Sequence, residues 1–222
     1  MLEKNLVFTA KTTPLCDPAV YERLYSSASC ERREKIDRLK SEKEKRLSLG
    51  AYTLLLYALS TMGIDGVSFE YSADGKPYLK GSNVHFGISH SAERVMCVLS
   101  PLEVGCDVEE VRERSLSVAH RFFAPCETAY LDTLENEADK LHSFFRLWTL
   151  KESFVKYLGK GITLPLDSFS FDLSGDRVAI CQDYTEKPLY FKEYDLGDEY
   201  KYSVCSECGE FSDALCVELD KI

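Results

Sequence analysis

The chain has 222 residues, 45% of them hydrophobic, and a formal net charge of −10. That much apolar material supports one large core or two small ones, so a disordered chain is excluded. The acidity argues against a general nucleic-acid binder, which needs a broad basic surface to displace counterions from phosphates; any anion site must be local.

The opening stretch MLEKNLVFTAKTTPLC lacks the apolar run of a signal peptide, and no uncharged stretch reaches the roughly 18 residues that would span a bilayer. A cytoplasmic protein with no membrane contact is expected. Nine cysteines are scattered along the chain, an odd set that fits reduced thiols better than a disulfide framework. Only Cys205-x-x-Cys208 has metal-ligand spacing, and a structural zinc takes four ligands.

Residues 29–49, SCERREKIDRLKSEKEKRLSL, alternate acid with base at helical spacing, the pattern of a solvated helix face. The run continues into AYTLLLYALSTMG, apolar enough for a core helix that stops at Gly63. Strand-like runs follow, VSFEY, NVHFGIS, RVMCVLS and LEVGCDVE, separated by the turn signals ADGKP, HSAE and SP. From Ser115 helices return: SLSVAHRFF, PCETAYLDTLE with Pro125 near its start, and a long one over DKLHSFFRLWTLKESFVKYLGKG. DSFSFDL, RVAICQ, LYFKEYD and YKYSVCSE then read as strands. Helices followed by a strand meander thus occur twice, at 1–103 and 104–222. The expected fold is α+β with two similar lobes, each a long helix on a small antiparallel sheet, and an active site between them.

Chemistry concentrates in three segments. In Val104-Gly105-Cys106-Asp107-Val108-Glu109 a strand puts Asp107 and Glu109 on one face and Val104, Cys106 and Val108 on the other. Two adjacent carboxylates suit Mg²⁺, a hard cation that bridges acids to phosphates; the bland alternative is two exposed acids at a strand end. In the long helix, Leu147, Leu150, Phe154 and Leu158 form a core stripe, while Trp148, Glu152 and Lys156 share another face. Glu152 and Lys156 alone would be a surface ion pair. The single tryptophan on that stripe suggests that it meets a ligand or the other lobe, which would place Trp148 close to bound substrate. In Phe86-Gly87-Ile88-Ser89-His90-Ser91 small hydroxyls and an imidazole end a strand, where they grip phosphate or merely satisfy a turn.

The ordered set GKPYL, FGISHS, VGCDVE and FFRLWTLKESFVKYLGKGITLPL resembles the long, two-lobed 4′-phosphopantetheinyl transferases of the surfactin-synthetase type, over about residues 29 to 206. The resemblance implies transfer of 4′-phosphopantetheine from coenzyme A to a serine of an apo carrier protein, with release of 3′,5′-ADP. By the same resemblance Asp107, Glu109 and Glu152 hold Mg²⁺, for which Mn²⁺ substitutes; the third ligand comes from the resemblance and not from spacing. Arg32, Arg46 and His90 would hold the 3′-phosphate of coenzyme A. Lys35, Lys76, Ser89 and Lys151 would line the remaining phosphate and nucleotide contacts. Glu152, Lys156 and Asp107 are the implied catalytic set, with Glu152 as candidate base. Cys106 and Arg32 depart from the family's usual isoleucine or valine and lysine, and Glu93 stands where a relative could carry a base.

A monomer is expected, serving an acidic carrier. Arg112, Arg114 and Arg121, beside Phe122 and Phe123, form a candidate docking patch, the alternative being that the phenylalanines belong to the core. Three competing functions stay open at this point: a catalytically silent coenzyme A-binding or carrier-binding module, a metal-dependent nuclease using the same three carboxylates, and a structural interaction protein with no Mg²⁺-dependent nucleotide binding.

Overall fold

The computed structural model describes residues 2–113, 117–175 and 178–222. The first half runs β1 (Asn5–Lys11), α1 (Pro18–Ser27), α2 (Cys30–Asp37), α3 (Glu42–Ser60), β2 (Phe69–Tyr71), β3 (Pro77–Leu79), β4 (His85–Ser91) and β5 (Arg94–Ser100). The second runs β6 (Val104–Glu110), α4 (Ser117–Phe122), α5 (Pro125–Thr133), α6 (Glu137–Leu158), β7 (Ser170–Asp172), β8 (Ala179–Cys181), β9 (Tyr190–Tyr194), β10 (Tyr200–Ser206) and β11 (Phe211–Val217). It is the α+β architecture of two lobes, each with helices and small sheets.

The charged run 29–49 is two helices rather than one, because α2 ends at Asp37 and Ser41 opens α3 with Glu44 reaching back to its amide. From Leu47 onward α3 becomes a core helix, burying Leu54, Leu55, Ala58 and Leu59 against the sheet of its lobe. In the second lobe α6 starts on Asn136, whose side chain caps Ala138 N, and ends at Gly159 in the left-handed region. Of the expected stripe Leu147, Leu150, Phe154 and Leu158, the first three are fully buried, joined by Phe144, while Leu158 at the helix end is half-buried.

The first sheet has the order β11-β1-β5-β4, and the second β6-β10-β9. All neighbouring pairs run antiparallel except β1 with β11, which run parallel. The strand β1 was not among the elements expected from sequence. Residues 101–103 link β5 of the first sheet to β6 of the second, yet the last strand of the chain pairs with the first. Leu219, just beyond β11, is fully buried in the first core.

Between the sheets β4 lies beside β6 in the same direction, joined through serine side chains. Ser89 Oγ accepts from Val108 N and Ser91 Oγ from Glu110 N, each at 3.3 Å. Gly87 permits this approach, since a Cβ there would stand 3.3 Å from the Cys106 amide nitrogen. On the other side α6 packs on β6 backbone to backbone: a Cβ on Gly105 would fall 2.2 Å from Ser153 O and from Tyr157 N. No described helix is long and apolar enough to cross a membrane.

Candidate active site

The alternation of β6 sends Val104, Cys106 and Val108 into the core between the sheets, and Asp107 and Glu109 toward α6 and β4. Asp107 is 3% exposed. Its Oδ1 accepts from Ser89 Oγ at 2.7 Å and from Lys156 Nζ at 2.6 Å. Lys156 also donates to Ser89 Oγ at 2.8 Å, closing a triangle across β4, β6 and α6. Two residues along both strands the pattern repeats, with Ser91 Oγ donating to Glu109 Oε2 at 2.7 Å. Ser91 was read from sequence only as a strand-end hydroxyl and not as a partner of Glu109; its spacing to Ser89, matching that of Glu109 to Asp107, was the available signal.

The charges of these groups are coupled. Burial first, and Asp107 second, push the Glu109 and Glu152 carboxyls above the ordinary range. Burial works against the Lys156 ammonium, but Asp107, Cys106 and Glu152 outweigh it and hold the lysine charged. His90, on the opposite face of β4 from Ser89, is exposed, and partial desolvation by its neighbours and the Lys156 charge push it toward its neutral form; it also senses Asp107 and Arg32.

A pocket of ≈ 260 Å³ opens beside it, with Arg32 and Lys35 of α2 at its edge and Tyr52, Phe69 and Phe86 in its wall. Arg32 donates to the Ser48 hydroxyl at 2.9 Å and stacks over Tyr52; its buried Nε has no partner. Exposed Lys35 reaches the Tyr71 hydroxyl at 2.5 Å. Arg46, half-buried on α3, makes no hydrogen bond or ion pair with any described residue. A basic edge on an aromatic wall suits a phosphorylated nucleotide.

Two expected contacts lie elsewhere. Lys151 is fully buried on the far side of α6, paired with equally buried Glu127 at 2.7 Å and donating to Leu166 O and Phe169 O. Its ammonium is spent inside the second lobe, so it is not a nucleotide contact. The ammonium of Lys76 is likewise committed, to Glu103 and to the carbonyls of Val104 and Tyr157, at the joint of the lobes. Its aliphatic part still lines the cleft. Ser89 binds Asp107 and Lys156 rather than offering a free hydroxyl.

Trp148 stacks with Phe144 at 5.8 Å and meets Phe122 and Phe123 edge-on or tilted, one turn before Glu152. Phe123 is core, whereas Phe122 stays 37% exposed with the Arg121 guanidinium over its ring. Arg114 lies outside the described residues. Cys205 is buried, and Cys208 Sγ points at the Glu3 and Glu210 carbonyls.

Among the described residues no three His, Cys, Asp or Glu side chains converge tightly enough to define a metal cluster. The donor chemistry nevertheless fits a hard divalent cation. Asp107 Oδ2 is buried without any hydrogen-bond partner, and two further carboxylates with raised proton affinity stand close by.

A family profile described as the 4′-phosphopantetheinyl transferase superfamily matches residues 103–205. A 4′-phosphopantetheinyl transferase of Bacillus subtilis is 36% identical over 200 residues, covering 87% of this chain and 88% of its own. The 4′-phosphopantetheinyl transferase Sfp of Bacillus subtilis (strain 168) is 35% identical with the same coverage. The 4′-phosphopantetheinyl transferase gsp of Aneurinibacillus migulanus is 32% identical over 93% of this chain and 86% of its own. The crystal structure of Thermotoga maritima holo-[acyl-carrier-protein] synthase matches 47% of this chain and 62% of that one at 20% identity, with a TM-score of 0.41. The chain belongs to the 4′-phosphopantetheinyl transferase superfamily and is of its Sfp-like type. It is a transferase, which decides against the nuclease, the silent module and the structural interaction protein.

Proposed function

We propose that the enzyme transfers 4′-phosphopantetheine from coenzyme A to a serine hydroxyl of an apo carrier protein, at the seam of β4, β6 and α6. The activity itself follows from the family. The observation that carries this placement is the buried, unpartnered Asp107 Oδ2 beside Glu109, Glu152 and Lys156.

Asp107, Glu109 and Glu152 would hold Mg²⁺, or Mn²⁺ in its place. Once bound, the ion neutralises the diphosphate and makes its phosphorus more electrophilic. Arg32, Lys35, Arg46 and His90 bind the nucleotide end of coenzyme A, using the pocket between α2 and β4. Glu152, whose carboxyl is held above the ordinary range, takes the proton from the carrier serine. The serine oxygen bonds to the phosphorus that carries pantetheine, the bond to the neighbouring phosphate breaks, and 3′,5′-ADP leaves with the electron pair. Lys156 stays charged and offers its remaining proton to the transferring phosphate.

Arg112, which acts on the Glu109 charge, and the exposed Arg121 with its guanidinium over Phe122 are the candidate basic and apolar docking residues. An acidic carrier would dock there, locally overriding the repulsion set by a net charge of −10. The enzyme acts as a cytoplasmic monomer. Calorimetric titration with coenzyme A is expected to give strong binding with Mg²⁺ and much weaker binding in its absence. Binding indifferent to the metal would refute the carboxylate assignment.

A further inference from the structure

Ser203 of β10 is fully buried, and its Oγ has no hydrogen-bond partner. In the β6–β10 ladder it stands directly opposite Asp107, and in the β9–β10 ladder directly opposite Glu193. Residues so paired point to the same face with Cβ atoms about 4.5–5.5 Å apart, so one row places a hydroxyl between two carboxylates. Both oxygens of Glu193 are taken by Arg146, at 2.8 and 2.7 Å. Asp107 has one oxygen engaged and the other, Oδ2, buried and bare.

The helix above makes no claim on Ser203. The hydroxyls of Thr149 and Ser153 on α6 donate to carbonyls of their own helix. Two unpaired polar atoms on neighbouring strands, each sealed from solvent, are a costly arrangement unless they serve one another or a third group.

We infer that Ser203 is a positioning residue, donating its hydroxyl proton to Asp107 Oδ2 through one buried water, to fix that carboxylate for metal binding. The inference rests on the metal reading above. A carboxylate oxygen has two lone-pair sites, so Oδ2 accepts from that water on one and faces the cation with the other. Partners of this kind orient ligating carboxylates, and their loss typically weakens metal affinity by about 10- to 100-fold.

The test titrates Mn²⁺ into the enzyme in the presence of coenzyme A, reading free Mn²⁺ by electron paramagnetic resonance, for wild type, S203A, S203T and D107N. Melting temperatures are taken without metal. S203A is expected to bind Mn²⁺ about tenfold more weakly. Its metal-free melting temperature should fall modestly, because Asp107 Oδ2 loses its donor and stays buried. S203T should keep an affinity near that of wild type. Wild-type affinity in S203A, with D107N impaired, overturns the inference and leaves the metal reading standing. A fall in melting temperature with unchanged affinity makes Ser203 a packing residue and also overturns it. Absence of Mn²⁺ binding in the wild type fells the metal reading and this inference together.

Discussion

At the scale of single residues the site is a set of carboxylates kept apart from water and near one another, and its proton chemistry follows from that. In the unfolded chain Glu152 ionises near about pH 4.3. In the fold, burial first and Asp107 second hold it protonated to higher pH. As pH rises out of the ordinary range the folded state keeps a proton that the unfolded state has lost, so Glu152 subtracts stability with increasing pH. E152Q cannot ionise. Its melting temperature relative to wild type should therefore widen in its favour between about pH 4 and neutrality, measured without metal, while transfer drops by roughly 100- to 10,000-fold. A difference that is flat with pH would show that Glu152 is not held in the protonated form. Asp107 differs from the expectation of a bare acid cluster, because Lys156 and Ser89 already satisfy one of its oxygens.

At the scale of elements, the reaction geometry depends on how closely α6 lies on β6. Gly105 makes that approach possible, because any Cβ would overlap the helix backbone at Ser153 and Tyr157. G105A is expected to lose transfer and to melt earlier, since no side chain is available to yield; unchanged transfer would mean that the spacing is immaterial. The rotation of α6 is set from its other side by the buried Lys151–Glu127 pair. K151M should cost about 3–5 kcal/mol in urea unfolding, by leaving Glu127 buried and unpaired, and removing both charges should recover part of it. Helix periodicity made α6 and its core stripe legible in advance. The fate of Lys151 was not, because a lone lysine beside a glutamate reads the same whether its ammonium enters a cleft or a core. Glu127, reaching back to the Ala124 amide and on to Phe171 N, decides that in three dimensions. The carboxylates of β6 were legible from strand alternation. Their serine partners across β4 and β10 were not, since register between strands far apart in sequence leaves no local mark.

At the scale of the whole molecule, the lobes are tied by more than a linker. The serine seam of β4 and β6, the bonds of Lys76 to Tyr157 O and Val104 O, and the Arg94–Asp198 pair at 2.7 Å all cross between them. The chain end closes the circuit: Asn5 donates to Cys208 O and Glu210 O, β11 pairs with β1, and Arg23 holds the carbonyls of Asp220 and Ile222. That return was hidden from a reading by successive halves, because it joins residues some 200 apart. It predicts one cooperative transition. Trp148, the single tryptophan, lies in the second lobe, so removing residues 211–222 from the first should still lower the midpoint read by its fluorescence. An unshifted midpoint would show lobes that unfold separately. Chemistry at the seam is tested most directly by intact-mass spectrometry. Apo carrier protein is incubated with coenzyme A and the enzyme, with Mg²⁺ or with chelator, alongside D107N. A gain of one phosphopantetheine on the carrier serine is expected with wild type and Mg²⁺, and no gain with chelator or D107N. Undiminished modification by D107N, or with the metal removed, would contradict chemistry at the seam.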